Sequence, residues 1–419
     1  MKIGFAILHF SLIFFFTYLF AKRWNTIGSK LFWSAFIYHL VAGMFVGLVY
    51  LFYYSANDTW LFFEDAKRLS SIAHTNFPAY IKLLFDFSDN LNAGLVNEDF
   101  RSLLFIKILS ALCFFSWDNY WVCTGYFSLL SFIASWFLHR KITGHFQNST
   151  SCSALSFLFF PSVVFWSSGI EKETLTLASL YFLAGIFLQL IFHKKIDKFV
   201  LVMVFLACVL LWALKYYWAG VFLISALAAF VVEHLSLKLL VIKRHLILVY
   251  IFAFALIGVS VSFLHPNFYL HRFLEVVVSN HDEFIPLSAD NNLVHFYQLS
   301  PTVTSVIINS PWALVSGIFR PFIGEGQGLL GLFASVENFL TLILFISFAW
   351  NFKNHFHEPI NILFLAVVSY CIMLCIFLAL STPNLGTLSR YRVGFLPFLV
   401  FVFAYRNPLF DSAVKKFLN

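Results

Sequence analysis

The sequence predicts an all-α polytopic bundle that crosses a lipid bilayer about eleven times. Three observations predict it. Of 419 residues, 61% are apolar and only 11% are charged, whereas about a quarter of a soluble domain is charged. Apolar runs of about 20 residues, long enough to span a hydrocarbon core, recur along the whole chain. Basic residues collect at the ends of those runs, where they orient a membrane protein. The alternating segments of an outer-membrane barrel are not seen. The net charge of +7 thus reads as orientational, and no nucleic acid is expected as a partner.

In chain order, spans are expected at 3–21, 31–54, 119–138, 152–167, 174–192, 199–214, 216–232, 246–264, 329–349, 360–380 and 393–405. The first run ends on Lys22-Arg23 and not on a small-residue cleavage site, so no cleaved leader is expected. The second carries Gly43 and Gly47 on one face, a spacing that lets a neighbouring backbone come close. His39, one turn earlier, is expected to hydrogen-bond a neighbouring helix. Residues 102–117 are apolar enough to span. Lys107 sits in mid-run, however, and a span there would reverse the side of His139-Arg140-Lys141. An amphipathic helix in the outer interface is expected instead. Pro161 and Ser167-Ser168-Gly169 then break the chain, and Glu171 and Glu173 favour the helix start that follows.

With this count, Lys22/Arg23/Lys30, Arg140/Lys141, Lys194/Lys195/Lys198, Lys238/Lys243/Arg244, Lys353 and Lys415/Lys416 share one face. That face should be cytoplasmic, with the amino terminus outside and the carboxyl terminus inside. Residues 1–419 read as one integral membrane domain with two larger extracytoplasmic regions, 55–118 and 265–328. Loops of this length are usually functional. The cytoplasmic connections are too short for a soluble domain, so chemistry is expected on the outer face. The six cysteines form no C-x-x-C and read as packing residues, without a disulfide framework or zinc site.

The stretch from Tyr53 to Arg68 places two tyrosines at the bilayer–water boundary, followed by Asp58, Glu64 and Asp65. Such carboxylates stay hydrated yet lie close to a lipid-borne substrate. Asp58 is the first candidate for catalysis, with capping of a helix start as the alternative. Asp65, seven residues on, would lie about 10 Å away on the same helix face and is the second candidate. Four basic residues fall on the outer side against the positive-inside trend: Lys172, Arg320, Arg390 and Arg392. Together they suit a phosphate, Arg as a planar fork and Lys as a point charge. Gly324-Glu325-Gly326-Gln327-Gly328 offers backbone N–H groups to an anion or a flexible lead into a helix. His281, Asp282 and Glu283 are adjacent and cannot easily face one ion, so no metal and no other cofactor is expected.

These elements resemble, in this order, the GT-C superfamily of polytopic glycosyltransferases. The likeness is to the protein-mannosyltransferase-like branch of bacterial envelope-glycan clusters. It rests on the acidic patch Asp58/Glu64/Asp65, the turn Pro161 … Trp166-Ser167-Ser168-Gly169-Ile170-Glu171-Lys172-Glu173, Phe319-Arg320-Pro321-Phe322, and Arg390-Tyr391-Arg392 before the last helix. The first helix, 3–21, is additional to the usual arrangement. The resemblance implies an enzyme of a bacterial cytoplasmic (inner) membrane that takes a sugar from a polyprenyl-phosphate-linked donor. The acceptor would be a glycan, lipid or protein. Asp58 would deprotonate the acceptor hydroxyl, and Lys172, Arg320, Arg390 and Arg392 would stabilise the leaving phosphate. Two alternatives stand beside it. One is a polymerase or ligase of lipid-linked repeat units, which should depend on arginines in 265–328. The other is a flippase or transporter, which needs ionisable groups near the midplane, where only His39 and Gln189 stand out as polar.

Overall fold

Every helix start in a membrane bundle leaves backbone donors to satisfy. Here short polar side chains take several of them: Ser29, Asp99, Asn119, Asp197 and Asn361 each accept N–H groups of the helix that follows. The computed structural model describes residues 2–54, 58–86, 94–97, 99–263, 265–326, 328–352 and 361–418. Ser55, Ala56 and Asn57 of the boundary stretch, Gln327 and Lys353 lie outside them.

The chain is all-helical, with no strand among the described residues and one isolated bridge, Leu293 to Asn384. The helices are α1 (Lys2–Arg23), α2 (Lys30–Phe52), α3 (Asp58–Thr75), α4 (Phe77–Phe85), α5 (Phe100–Ser116), α6 (Tyr120–His145), α7 (Thr150–Ala154), α8 (Pro161–Ser167), α9 (Lys172–Ile191) and α10 (Lys198–Ser236). There follow α11 (Leu240–Arg244), α12 (Leu246–Ser262), α13 (Leu270–Phe284), α14 (Val303–Phe319), α15 (Gly328–Trp350), α16 (Ile362–Ser381), α17 (Leu385–Tyr391), α18 (Leu396–Ala404) and α19 (Pro408–Leu418).

Among the described residues, seven helices are long and apolar enough to cross a membrane, or nine if each of two bent pairs is one span. One bent pair joins Thr150–Phe159 to Pro161–Ser167 at 44°, and the other joins Leu385–Gly394 to Leu396–Ala404 at 69°. The expected count of about eleven is higher for two reasons. It divides α10, whose 39 residues hold two helical stretches joined across a kink, and it includes α12, which has 17. Lys215 does leave helical geometry inside α10, at φ −144° and ψ 72°.

The bundle is built by pairs of neighbours: α2 on α6, α6 on α9, α9 on α10, α10 on α16, and α14 on α16. Its largest core gathers Tyr181 of α9, Trp218 of α10, Leu374 and Leu378 of α16, Phe398 of α18, and Phe157 from the turn of helix between α7 and α8. The 55–118 region holds α3, α4 and α5. Helix α5 lays Leu103, Phe105, Ile106, Leu109 and Cys113 into a core shared with α3 and α6. Buried Lys107 donates to the Asp86 carbonyl, so its charge ends at a helix C-cap. The 265–328 region, expected as loop, contains an amphipathic α13 and the apolar α14. Pro311 and Asn309 disguised α14 in the sequence. The structure tolerates them because Asn309 bonds Tyr297 and Ser305, and because α16 covers the helix.

Gly43 and Gly47 are contact points between α2 and its neighbours. A Cβ on Gly43 would strike Ser128, and one on Gly47 would lie 2.7 Å from the Tyr120 ring. Tyr120 in turn stacks on Trp60, with ring centroids 3.8 Å apart, and Trp60 Nε1 donates to the Gly47 carbonyl at 3.1 Å. Close packing of α2 therefore also seats the first turn of α3. Gly47→Leu should overpack this contact and cost about 1–3 kcal/mol, read as a lowered thermal midpoint in detergent. An unchanged midpoint would show that α2 and α6 are not closely held there.

Candidate functional site

Four segments converge where α2 ends and α3 begins. Tyr50 comes from the last turn of α2 and Asp58 from the first residue of α3. Glu171 and Glu173 straddle the start of α9, and Arg390 comes from the last turn of α17. The turn before α9 is shaped by its sequence. Gly169 has φ +109° and packs on the Gly43 carbonyl, where a Cβ would come within 3.2 Å. Ser167 and Ser168 are buried; Ser168 contacts His39 Nδ1 at 3.3 Å, and His39 also meets Ser131 of α6 at 3.2 Å. His39 is thus a link between helices, as expected. Thr174 Oγ1 donates back to the Gly169 carbonyl at 2.9 Å, which fixes Glu171 and Glu173 in place.

Arg390 is the hub. Its Nη1 donates to Tyr50 Oη and to Asp58 Oδ2, both at 3.1 Å. Its Nη2 donates to Glu171 Oε2 at 2.5 Å and to Glu173 Oε2 at 2.9 Å. The guanidinium lies 5.9 Å from the Trp166 ring centroid. Glu173 uses its second oxygen to accept from Lys215 Nζ at 2.7 Å. Lys215 stands at the irregular position of α10 and lies 3.9 Å from the centroid of the Tyr391 ring. The three carboxylates differ in solvation: Asp58 is 45% exposed, Glu171 0% and Glu173 1%. Burial pushes the Glu171 carboxyl up to about 8; Arg390 opposes the rise, and Glu173 and Asp58 add to it.

Comparison with protein-family models, curated proteins and solved structures finds no match for this chain. The site is therefore read from its own geometry.

Of the six site residues expected from sequence, Asp58 and Arg390 are in direct contact. Lys172 borders them: it precedes Glu173, and its Nζ donates to Ser102 Oγ at 3.0 Å and lies 4.9 Å from the Phe62 ring centroid. Asp65 is not brought to Arg390. It is 1% exposed and accepts from the backbone N–H groups of Val96 and Asn97 at 3.1 Å, and from Asn97 Nδ2 at 2.9 Å. It clamps residues 96–97 onto α3, and two helical turns from Asp58 proved enough to place it in a different contact.

Arg320 and Arg392 belong to a second charged group. Arg320 Nε donates to Glu325 Oε2 at 3.0 Å. Arg392 is fully buried, with Nη2 3.6 Å from Glu337 Oε1 and Nη1 donating to the Arg320 carbonyl at 3.3 Å. Glu337 Oε2 also accepts the Ser162 N–H at 2.8 Å, just past the Phe160–Pro161 break. The expected single set of four phosphate-facing cations is thereby split, and three of the four are held by protein carboxylates. Among the described residues, no group of three or more His, Cys, Asp or Glu is arranged to hold a metal ion. His281 does meet Asp282 at 3.0 Å.

Sequence reading assigns Tyr50 and Glu337 no role, places Lys215 only near a short outer turn between two spans, and makes Glu171 and Glu173 part of the turn motif and helix start without a place in the site. A usable signal existed. Lys215 and Glu337 are lone charges inside long apolar runs, and such a charge is costly to bury without a partner. Lys215→Met should strand part of the Glu173 charge. Breaking a buried pair costs about 3–5 kcal/mol, and the lower end applies because Arg390 remains. Lys215→Met with Glu173→Gln should recover most of that loss, as read by thermal unfolding of single and double variants. Additive losses would mean the pair is not energetically coupled.

Proposed function

We propose that the protein is a membrane-embedded glycosyltransferase that takes a sugar from a polyprenyl-phosphate-linked donor. It passes that sugar to an envelope glycan, lipid or protein on the extracytoplasmic face. One observation carries this reading: Asp58 is half exposed at the start of α3, just past the apolar α2, while its carboxylate is held by a nearly buried arginine. Asp58 Oδ2 faces Arg390, which leaves Oδ1 to accept a proton from an acceptor hydroxyl as that hydroxyl attacks the anomeric carbon. General-base assistance of this kind is worth about 10²–10⁴ in rate.

In this reading Arg390 differs from its expected role. It orients Asp58 first and contributes positive potential to the departing phosphate second, because three carboxylates already share it. Lys172 remains the cation at this end whose bonds are to a neutral hydroxyl and an aromatic face. Division of α10 at Lys215 would give two spans, since 39 residues make a helix of about 58 Å, roughly twice a hydrocarbon core. With α12 counted as well, the topology reaches about eleven spans with the amino terminus outside.

A second reading, a flippase or transporter, is favoured by a different observation. Both bent helix pairs come together at Arg392, Glu337 and Ser162, so a buried charge pair sits where two spans are broken. Broken helices lining a buried polar position are a feature of many transporters.

Asp58→Asn, purified and supplied with a polyprenyl-phosphate sugar and acceptor, should lose transfer by about 10²-fold or more while still binding the donor. Wild-type turnover in that variant would remove the proposed base. Glu337→Gln separates the second reading. A transferase should keep turnover within a few-fold, whereas a transporter should lose tracer movement across proteoliposomes.

A further inference from the structure

Charge bookkeeping at the Arg390 cluster leaves one carboxylate in excess. Asp58, Glu171 and Glu173 face two cations, Arg390 and Lys215. Lys172 does not close the balance. It bonds Ser102 and faces Glu173 first and Asp99, the cap of α5, second, so counting Lys172 brings Asp99 in with it and the excess of one carboxylate stands. Burying an unbalanced charge is expensive, and a carboxyl can avoid the cost by taking a proton.

The geometry says which carboxyl does so. Glu173 is held by two cations through its two oxygens. Asp58 is 45% exposed, so water solvates its charge. Glu171 is 0% exposed, uses one oxygen on Arg390, and buries the other, Oε1, without a hydrogen-bond partner. Its titratable and charged neighbours are Tyr50 from α2, Tyr54 just past α2, Asp58 from α3, Tyr120 from α6, Glu173 from α9 and Arg390 from α17, and the Tyr50 hydroxyl joins Arg390 in favouring the ionised form. Two of the three charged neighbours are anions, and burial outweighs the arginine's pull.

We propose that Glu171 gates the site by charge: carrying a proton, it leaves the cluster neutral and open to an anionic lipid phosphate, and losing that proton, it makes the cluster negative and repels the ligand. This rests on the reading of the site as one that receives a lipid-phosphate-linked donor. The step is a simple ionisation, in which the Glu171 O–H bond breaks and the proton passes to water. Sign follows from the rise to about 8. The protonated form prevails below that pH, so ligand affinity is full there and falls as pH climbs through it.

The test uses the full chain in lipid nanodiscs and a geranylgeranyl methyl phosphodiester as probe. A diester stays singly ionised throughout, so the probe does not titrate. Wild-type protein should bind it about tenfold more weakly at about pH 9 than at about pH 7, and Glu171→Gln should bind it equally at both. Infrared difference spectra offer a second readout. A protonated-carboxyl band should fade over the same pH interval in wild type and be missing from the variant. Binding that is flat with pH in wild type, or that falls equally in Glu171→Gln, overturns the gate while leaving the lipid-phosphate reading intact. No binding at either pH overturns the lipid-phosphate reading itself, and the gate with it.

Discussion

A guanidinium placed in an apolar bundle must be matched by acceptors, or the desolvation it suffers will expel it. Arg390 meets that demand with one tyrosine and three carboxylates drawn from three other parts of the chain. The planar fork of arginine can serve all of them at once, which a lysine ammonium on a flexible stem would do less rigidly. The consequence is architectural. The end of α2, the start of α3, the turn before α9 and the end of α17 cannot move independently while this group is intact. Lys215 extends the tie to α10 through Glu173.

The same demand operates two residues later in a different setting. Arg392 and Glu337 lie within the bundle where helices are interrupted, and Glu337 serves the N–H of Ser162 freed by the break at Pro161. Backbone groups released inside a bilayer need partners from the protein itself. Both groups bury atoms without a hydrogen bond: Arg390 Nε and Glu171 Oε1 in the first, Arg392 Nε and Nη2 and Glu337 Oε1 in the second. They differ in their partners: Arg390 makes four hydrogen bonds to side chains of three segments, whereas Arg392 makes one to a backbone carbonyl and lies 3.6 Å from its carboxylate.

For the transferase reading, the division of labour among carboxylates is the central point. A base would have to reach solvent and substrate, and of the three only Asp58 is exposed. A buried acid can hold charge in reserve, which suits Glu171. A doubly paired acid is structural, which describes Glu173. In that reading, three side chains of one chemical kind around a single arginine would take different tasks from their exposure and the number of cations each one meets.

Much of the fold was legible because hydrophobic runs of spanning length are a one-dimensional property. Composition alone required an apolar helical bundle. Gly43, Gly47 and His39 did what their types and spacing suggested. The pairing of Asp58 with Arg390 was anticipated in outline, because both sit at ends of apolar runs on one inferred face. Which cation meets which carboxylate was not, since 332 positions separate them and no local pattern encodes that register. Asp65 illustrates the limit: its residue type and helical spacing matched those of a site residue, yet the fold brought Val96 and Asn97 to it instead. Helix identity follows from the free energy of moving each segment out of water, which the sequence carries alone. The charge network follows from which buried ions can neutralise one another, and only the packed bundle decides that.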